Sequence, residues 1–251
     1  MNKTKIEWCD ATFNPVTGCL HNCEYCYARK IANRFGDKCN DGKTHIKYAT
    51  DIKANTYPWG FMPTLHPTRL NEPQSLKTPH NIFVCSMADL FGEWVPDEWI
   101  KAVFDACEKA PQHRYLFLTK NPKRYLELAE KGFLPNRENF WYGITMTWDC
   151  GTVQNCIVRL QVNNIFVSVE PITCKFENGL HLPYEKVQWV ILGVETGNRK
   201  SKFIPEKKSL KNIVKDCKDS GISSLFMKDS LKGIWGEKLI QQYPWEVENA
   251  D

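Results

Sequence analysis

With 251 residues, 42% hydrophobic and 25% charged, and a formal net charge of +4, the chain has the composition of an ordinary globular protein with room for one large domain. No apolar run approaches the ~20 residues that cross a bilayer, and residues 1–7 have no apolar stretch behind their lysines, so neither a membrane span nor a signal peptide is expected. Eleven cysteines without a signal argue against a secreted disulfide framework and for reduced thiols in the cytoplasm.

In chain order, a short strand is expected at about residues 8–13, then a cysteine-bearing loop, then a helix over 25–35. Residues 36–80 show no clear period. They hold five prolines, the aromatics Tyr48, Tyr57, Trp59 and Phe61, and His45, His66 and His80. An irregular stretch of that length is long for a compact domain and is expected to be an insertion or lid. From there short apolar runs alternate with helical patterns. Strands are predicted at 81–88, 115–120, 141–146, 164–170, 189–195 and 223–228, and helices at 96–109, 122–131, 153–161 and 209–220. The runs are β-branched and aromatic and apolar almost throughout, as strands buried on both faces should be. The βα alternation predicts a parallel sheet. Seven strands are one short of a closed barrel. The expected fold is therefore α/β, an open, partial TIM-type barrel of (β/α)6 kind spanning residues 1–251 as a single domain, with a doubly wound sheet as the competing arrangement.

In either arrangement ligands belong at the carboxyl ends of the strands. The polar residues there are Ser86 and Asp89, Thr119 and Lys120, Thr145 and Thr147, Ser168 and Glu170, and Glu195 and Thr196. Any one of them is open to a plainer role, since Ser and Thr also cap helices. Their accumulation is what marks a binding edge. Arg199 to Lys238 adds 11 Lys/Arg against five Asp/Glu, which suits either a phosphate-facing surface or a solvated lysine-rich helix.

The sharpest signal is Cys19, Cys23 and Cys26, spaced C-x3-C-x2-C with Tyr25 directly before the third cysteine. Three thiolates in one loop can hold three irons of a [4Fe–4S] cube and leave the fourth open to a substrate. The competing metal is zinc, held by the three cysteines with His21 or a distant ligand, although their crowding differs from the usual pair-and-pair spacing.

This loop resembles the signature of the radical S-adenosylmethionine (SAM) superfamily, matching it at Cys19, Cys23, Tyr25 and Cys26. Nearly the whole chain is similar to a small phage-associated group of radical-SAM-like proteins, through the segments 14–19, 85–92, 118–122, 168–171 and 189–197. The resemblance implies a [4Fe–4S] cluster, SAM as cosubstrate, and reductive cleavage of SAM to a 5′-deoxyadenosyl radical that abstracts hydrogen from a substrate. It also implies a reducing partner such as flavodoxin or ferredoxin. Many superfamily members hold the SAM amino group with a Gly-Gly-Glu run after the second strand; here that place is taken by Ser86-Met87-Ala88-Asp89. By position, Ser86 and Asp89 are expected near the amino group, Thr145 near the ribose, Ser168 and Glu170 near SAM or substrate, and Gly193 with Glu195 near the adenine or methionine moiety. Cys9, Cys39, Cys150 and Cys174 are the candidate hydrogen donors to a product radical, while Cys85, Cys107 and Cys217 fit core positions.

The expected substrate is a nucleic-acid base or nucleotide, from the basic segment, the phage-type resemblance, and the aromatics Trp59, Trp94, Trp148 and Trp235 that would stack a base. A peptide or small metabolite is the second reading. A non-catalytic, zinc- or cluster-stabilised nucleic-acid-binding module is the third.

Overall fold

A computed structural model of the chain describes residues 1–36, 47–48, 56–147, 150–177 and 179–247. The chain divides into two compact units, Met1–Phe140 and Trp141–Asp251. Between them they carry seven parallel strands in βα succession, the α/β strand pattern of a partial TIM-type barrel.

In the first unit β1 (Asn2–Lys3) pairs antiparallel with β2 (Ala11–Phe13). A two-residue strand follows, β3 (Val16–Thr17), and then helix α1 (Tyr27–Phe35). Further along come β4 (Lys47–Tyr48), β5 (Thr64–Leu65) and the short helix α2 (Glu72–Ser75). The main sheet resumes with β6 (Asn81–Val84), α3 (Asp97–Glu108), β7 (Arg114–Thr119) and α4 (Lys123–Glu130). Strand β2 runs parallel to β6, with Phe13 opposite Val84, and β6 runs parallel to β7, with Val84 opposite Phe117.

Helix α3 shows why these residues fold as they do. Pro96 precedes it, Asp97 and Glu98 lie in its first turn where the helix dipole favours negative charge, and Trp99, Ile100, Val103, Phe104 and Cys107 form one buried stripe. That stripe meets an aromatic core in which Phe104 and Phe117 lie 5.1 Å apart and Phe91 and Tyr125 4.5 Å apart. Asp97 also binds Arg124 and Lys131, pinning the start of α3 to α4.

The region expected to be irregular holds a small second sheet. Strand β5 lies antiparallel to β3 and parallel to β4. His66 follows β5, buried, with its Nε2 2.8 Å from the Thr17 hydroxyl. Burial, aided by the Arg69 charge, lowers its pKa from 6.5 to about 4. The unfolded chain therefore binds a proton at a pH where the folded chain does not. Stability from this site is complete above pH ~6.5 and falls as the pH drops toward ~4. His66→Gln should flatten that part of the stability–pH profile, measured by denaturant titration at pH 7 and pH 5. Residues 37–46 and 49–55 of the expected lid lie outside the described residues.

The strand β8 (Phe140–Thr145) straddles the division, with only Phe140 in the first unit. The second unit continues with α5 (Cys150–Arg159), β9 (Asn164–Val169), β10 (Trp189–Leu192), α6 (Lys207–Asp219), β11 (Ser224–Met227), α7 (Lys232–Trp235) and α8 (Pro244–Val247). Strands β8 to β11 pair in that order, all parallel. Gly143 is required where it stands, because a Cβ there would lie 2.2 Å from the Phe166 ring of the neighbouring strand. Trp189 sits among Phe166, Phe226, Tyr243 and Trp245, with ring centres 5.3 to 6.3 Å from its own.

All six later strands begin within one residue of their expected starts, but several end early. The 81–88 run leaves the sheet after Val84, since Cys85 takes φ +60°, and the 189–195 run leaves it after Leu192. The carboxyl ends thus become loops, and these loops carry the polar residues.

Candidate metal centre

The cysteine loop leaves the carboxyl end of β3 and is fixed on both sides. Gly18 has φ +85°, and a Cβ there would lie 2.2 Å from the Met62 carbonyl oxygen, so only glycine fits. Its N–H donates to the Met87 carbonyl at 3.0 Å, and the Cys19 N–H donates to the Phe61 carbonyl at 3.2 Å. Asn14 Oδ1 accepts the Met87 N–H and the Ser86 hydroxyl, each at 3.1 Å, tying the segment before the loop to the end of β6. Part of the expected lid, Phe61 and Met62, therefore packs directly on the cysteines' backbone.

Cys26 caps α1, its thiol accepting the Arg29 N–H at 3.3 Å. The first turn of this helix carries no acidic residue. Arg29 reaches back to Asn22 Oδ1 at 2.5 Å and lies over the Phe61 ring. Tyr27 donates its hydroxyl proton to the Ser86 carbonyl at 2.7 Å. Tyr25 stands under the Lys120 ammonium, 5.9 Å from ring centre to nitrogen.

All three loop cysteines are half-buried, and Cys19 is the one whose surroundings act on it most clearly. Burial pushes its thiol up to about 12; the His21 N–H opposes this, while the Asp89, Cys23 and Cys26 charges add to it. The metal-free protein therefore holds Cys19 as a thiol at neutral pH, and a bound cation would have to displace that proton. The mutual influence of the thiols reflects their closeness on one loop. Among the described residues, however, no three His, Cys, Asp or Glu side chains converge closely enough to enclose a metal ion.

Two further facts bear on whether an iron–sulfur cluster suits the loop. The donor set is three thiols with no carboxylate among them, which is cluster chemistry. Two buried N–H groups beside the loop, Arg29 Nε and Trp94 Nε1, have no hydrogen-bond partner, and N–H groups in such a place suit the sulfurs of a cluster. In residue type the loop suits the group, and the three thiols would have to draw together to hold it.

Asp89 is the most heavily bonded side chain of the site. Its Oδ1 accepts the Phe91 N–H at 3.0 Å and the Thr119 hydroxyl at 2.8 Å; its Oδ2 accepts the Lys120 N–H at 2.9 Å and lies 2.7 Å from His21 Nε2. Burial acts to raise its pKa, yet the His21 bond and charge, with the Lys120 N–H and Thr119 hydroxyl, hold it below the ordinary carboxylate value. A carboxylate has about four lone-pair directions, and here all are filled. Asp89 has no acceptor left for an incoming ammonium. Its partner His21 is T-shaped against Trp94 with ring centres 4.8 Å apart.

In the second unit, Thr145 and Ser168 stand opposite each other in register at the carboxyl ends of β8 and β9. Both hydroxyls are buried with no hydrogen-bond partner. Glu170 and Lys228, beyond the ends of β9 and β11, form an ion pair. This pair passes over Gly193, where a Cβ would be 3.1 Å from Lys228 Cδ and 3.3 Å from Glu170 Cγ. Glu195 is held by Arg199, with contacts of 2.6 and 2.8 Å. Among the expected contacts in this unit, Thr145 and Ser168 are the ones whose buried hydroxyls have no hydrogen-bond partner among the described residues.

An orphaned buried hydroxyl is a penalty in the unliganded protein. Thr145→Val, of similar shape, is expected to leave the unliganded fold as stable or raise it by about 1 kcal/mol, while weakening retention of a ligand at the strand ends. Thermal melting with and without added SAM checks both halves.

The other cysteines separate by position. Cys9 is buried before the amino end of β2, at the opposite end of that strand from the cysteine loop. Cys174 is half-buried, its thiol 3.6 Å from the Thr147 carbonyl. Cys39 and the side chain of Cys150 lie outside the described residues. Cys85, Cys107 and Cys217 are buried, as their apolar surroundings predict, although Cys85 sits in a turn beyond the strand. Trp235 is also buried, its indole N–H on the Lys238 carbonyl, and so belongs to the core. Trp148 lies outside the described residues. Sequence reasoning missed two features, the His21–Asp89 contact and the Lys228–Glu170 pair. The one available signal was that Lys228 is the first polar residue after the last apolar run.

Fold and site together define an α/β protein of partial-barrel type whose three-cysteine loop follows β3 and is tied to the ends of β6 and β7. A family model described as "Protein of unknown function (DUF5131)" matches residues 3–244, and the chain belongs to that family. Searches of curated proteins and of solved structures returned no match. Among the described residues, no helix is long and apolar enough to cross a membrane.

Proposed function

We propose that the chain is a radical SAM enzyme acting in the cytoplasm. The observation that carries this reading is the loop of Cys19, Cys23 and Cys26, which leaves a sheet strand at its carboxyl end and runs into a helix that Cys26 caps. A [4Fe–4S] cluster on these thiols would supply the electron that cleaves SAM to a 5′-deoxyadenosyl radical, with flavodoxin or ferredoxin as the source of that electron.

The chain's own residues do the rest. Gly18, Asn14 and Phe61 anchor the start of the loop. Arg29 and Trp94 add buried N–H groups without hydrogen-bond partners. In the second unit, the unpartnered hydroxyls of Thr145 and Ser168 are available to the hydroxyl groups of a ligand. Because Asp89 is fully engaged, the SAM amino group is assigned to other acceptors of the site.

The substrate proposed is a nucleic-acid base or nucleotide. The basic segment supports this less than its composition suggests. Arg199, Lys207, Lys211, Lys215, Lys228 and Lys232 each sit in an ion pair, with Glu195, Glu237, Glu237, Asp219, Glu170 and Asp229 respectively. Peptide and small-metabolite substrates remain the comparison arms of a substrate screen.

One observation favours a second reading, a closed zinc site. The carboxylate–histidine contact of Asp89 with His21 is the arrangement that orients metal-binding imidazoles. Metal analysis of anaerobically purified protein separates the two. The radical SAM reading requires brown protein with about four irons and four sulfides per chain, and colourless protein with one zinc would sink it.

A further inference from the structure

We propose that Asp89, acting through His21, is the positioning element of the cysteine loop. The inference rests on the radical SAM reading of that loop and extends it to residues that touch neither cluster nor cosubstrate. His21 lies between Cys19 and Cys23, so whatever fixes its side chain fixes the backbone that carries two of the three thiols. That fixing comes from across the fold, through the 2.7 Å contact of His21 Nε2 with Asp89 Oδ2.

Asp89 is itself immobile. It follows β6, and its other bonds go to the Thr119 hydroxyl and the Lys120 N–H at the end of β7 and to the Phe91 N–H of its own turn. The loop after β3, the turn after β6 and the end of β7 therefore meet at one carboxylate. The Trp94 ring stands edge-on to His21 and limits its rotation. The neighbouring Asn22 has φ +55°, a conformation that needs support from its surroundings, and Arg29 supplies part of it. A loop held in this way keeps the backbone that carries its thiols in a fixed arrangement before any metal arrives. Partners of this kind typically change metal retention by about 10-fold or more when removed.

The test uses the full chain as wild type, His21→Ala and His21→Gln, purified without oxygen and reconstituted with iron and sulfide. Removing Asp89 endangers the fold, so the histidine variants carry the experiment, with thermal melting to verify that each is folded. His21→Ala is expected to take up iron but to release it to a chelator about 10-fold faster or more. The electron paramagnetic resonance signal of its reduced cluster should be shifted and broadened. His21→Gln, which keeps a donor for Asp89, should recover most of both properties. In metal-free protein, iodoacetamide should alkylate Cys19 faster in His21→Ala than in wild type, the same loss of order seen without metal. Wild-type chelator release, resonance and alkylation in His21→Ala would overturn the proposal. If wild-type protein takes up no iron, the radical SAM reading fails; Cys19 alkylation then decides the positioning role alone, acceleration supporting it and an unchanged rate ending it.

Discussion

Replacing Cys19, Cys23 or Cys26 with alanine is expected to lower iron from about four per chain to well below one and to reduce SAM cleavage to background. Each thiol is one of only three protein ligands in the proposed site, so losing one exposes a second iron and leaves the cube unsupported. Cys107→Ala is the control. That thiol is buried in α3 among apolar side chains, and its removal should cost about 1 kcal/mol or a little more in stability without touching cluster or cleavage. Iron and sulfide assays on the four variants decide the point. Equal iron in the loop variants and in Cys107→Ala would remove the loop from the metal site.

The second large effect concerns stability. Asp89→Ala should destabilise the protein by about 3–5 kcal/mol, because it leaves the Phe91 and Lys120 N–H groups, the Thr119 hydroxyl and His21 facing a buried void. For a chain of this size that corresponds to a melting temperature lower by roughly 10 °C. Asp89→Asn keeps one oxygen and should lose about 2 kcal/mol. A denaturation midpoint for Asp89→Ala close to wild type would show that these bonds carry little of the fold. Metal-free protein is the proper sample, so that cluster loss does not contribute.

What the sequence revealed and what it concealed follow from range. The cysteine spacing is local, and it was readable residue by residue. The buried strands were readable because β10, Trp189–Leu192, and its neighbours are continuous apolar runs that suit only a sheet covered on both faces. Their early endings were not, since the left-handed turn at Cys85 is set by a bond from its N–H to the Phe13 carbonyl on another strand. The small sheet of β3, β4 and β5 escaped for a related reason. Strands of two residues leave no period to detect.

Charge was readable where pairing was not. Asp89 was expected beside a cosubstrate ammonium because of its place after the second parallel strand. Four donors already surround it, and one of them, His21, lies 68 residues away in sequence. Lys228 meets Glu170 across 58 residues, and composition alone left it among the solvated lysines. In both places the residue type was legible and the partner had to come from the fold.

The central claim is that the three-cysteine loop supports reductive cleavage of SAM. Its most direct test is to incubate the reconstituted, anaerobic protein with SAM and a low-potential reductant and to measure 5′-deoxyadenosine by chromatography. The account predicts 5′-deoxyadenosine and methionine in equal amounts, absent from the Cys19→Ala, Cys23→Ala and Cys26→Ala proteins. Iron-loaded wild-type protein that releases no 5′-deoxyadenosine under reduction would contradict it.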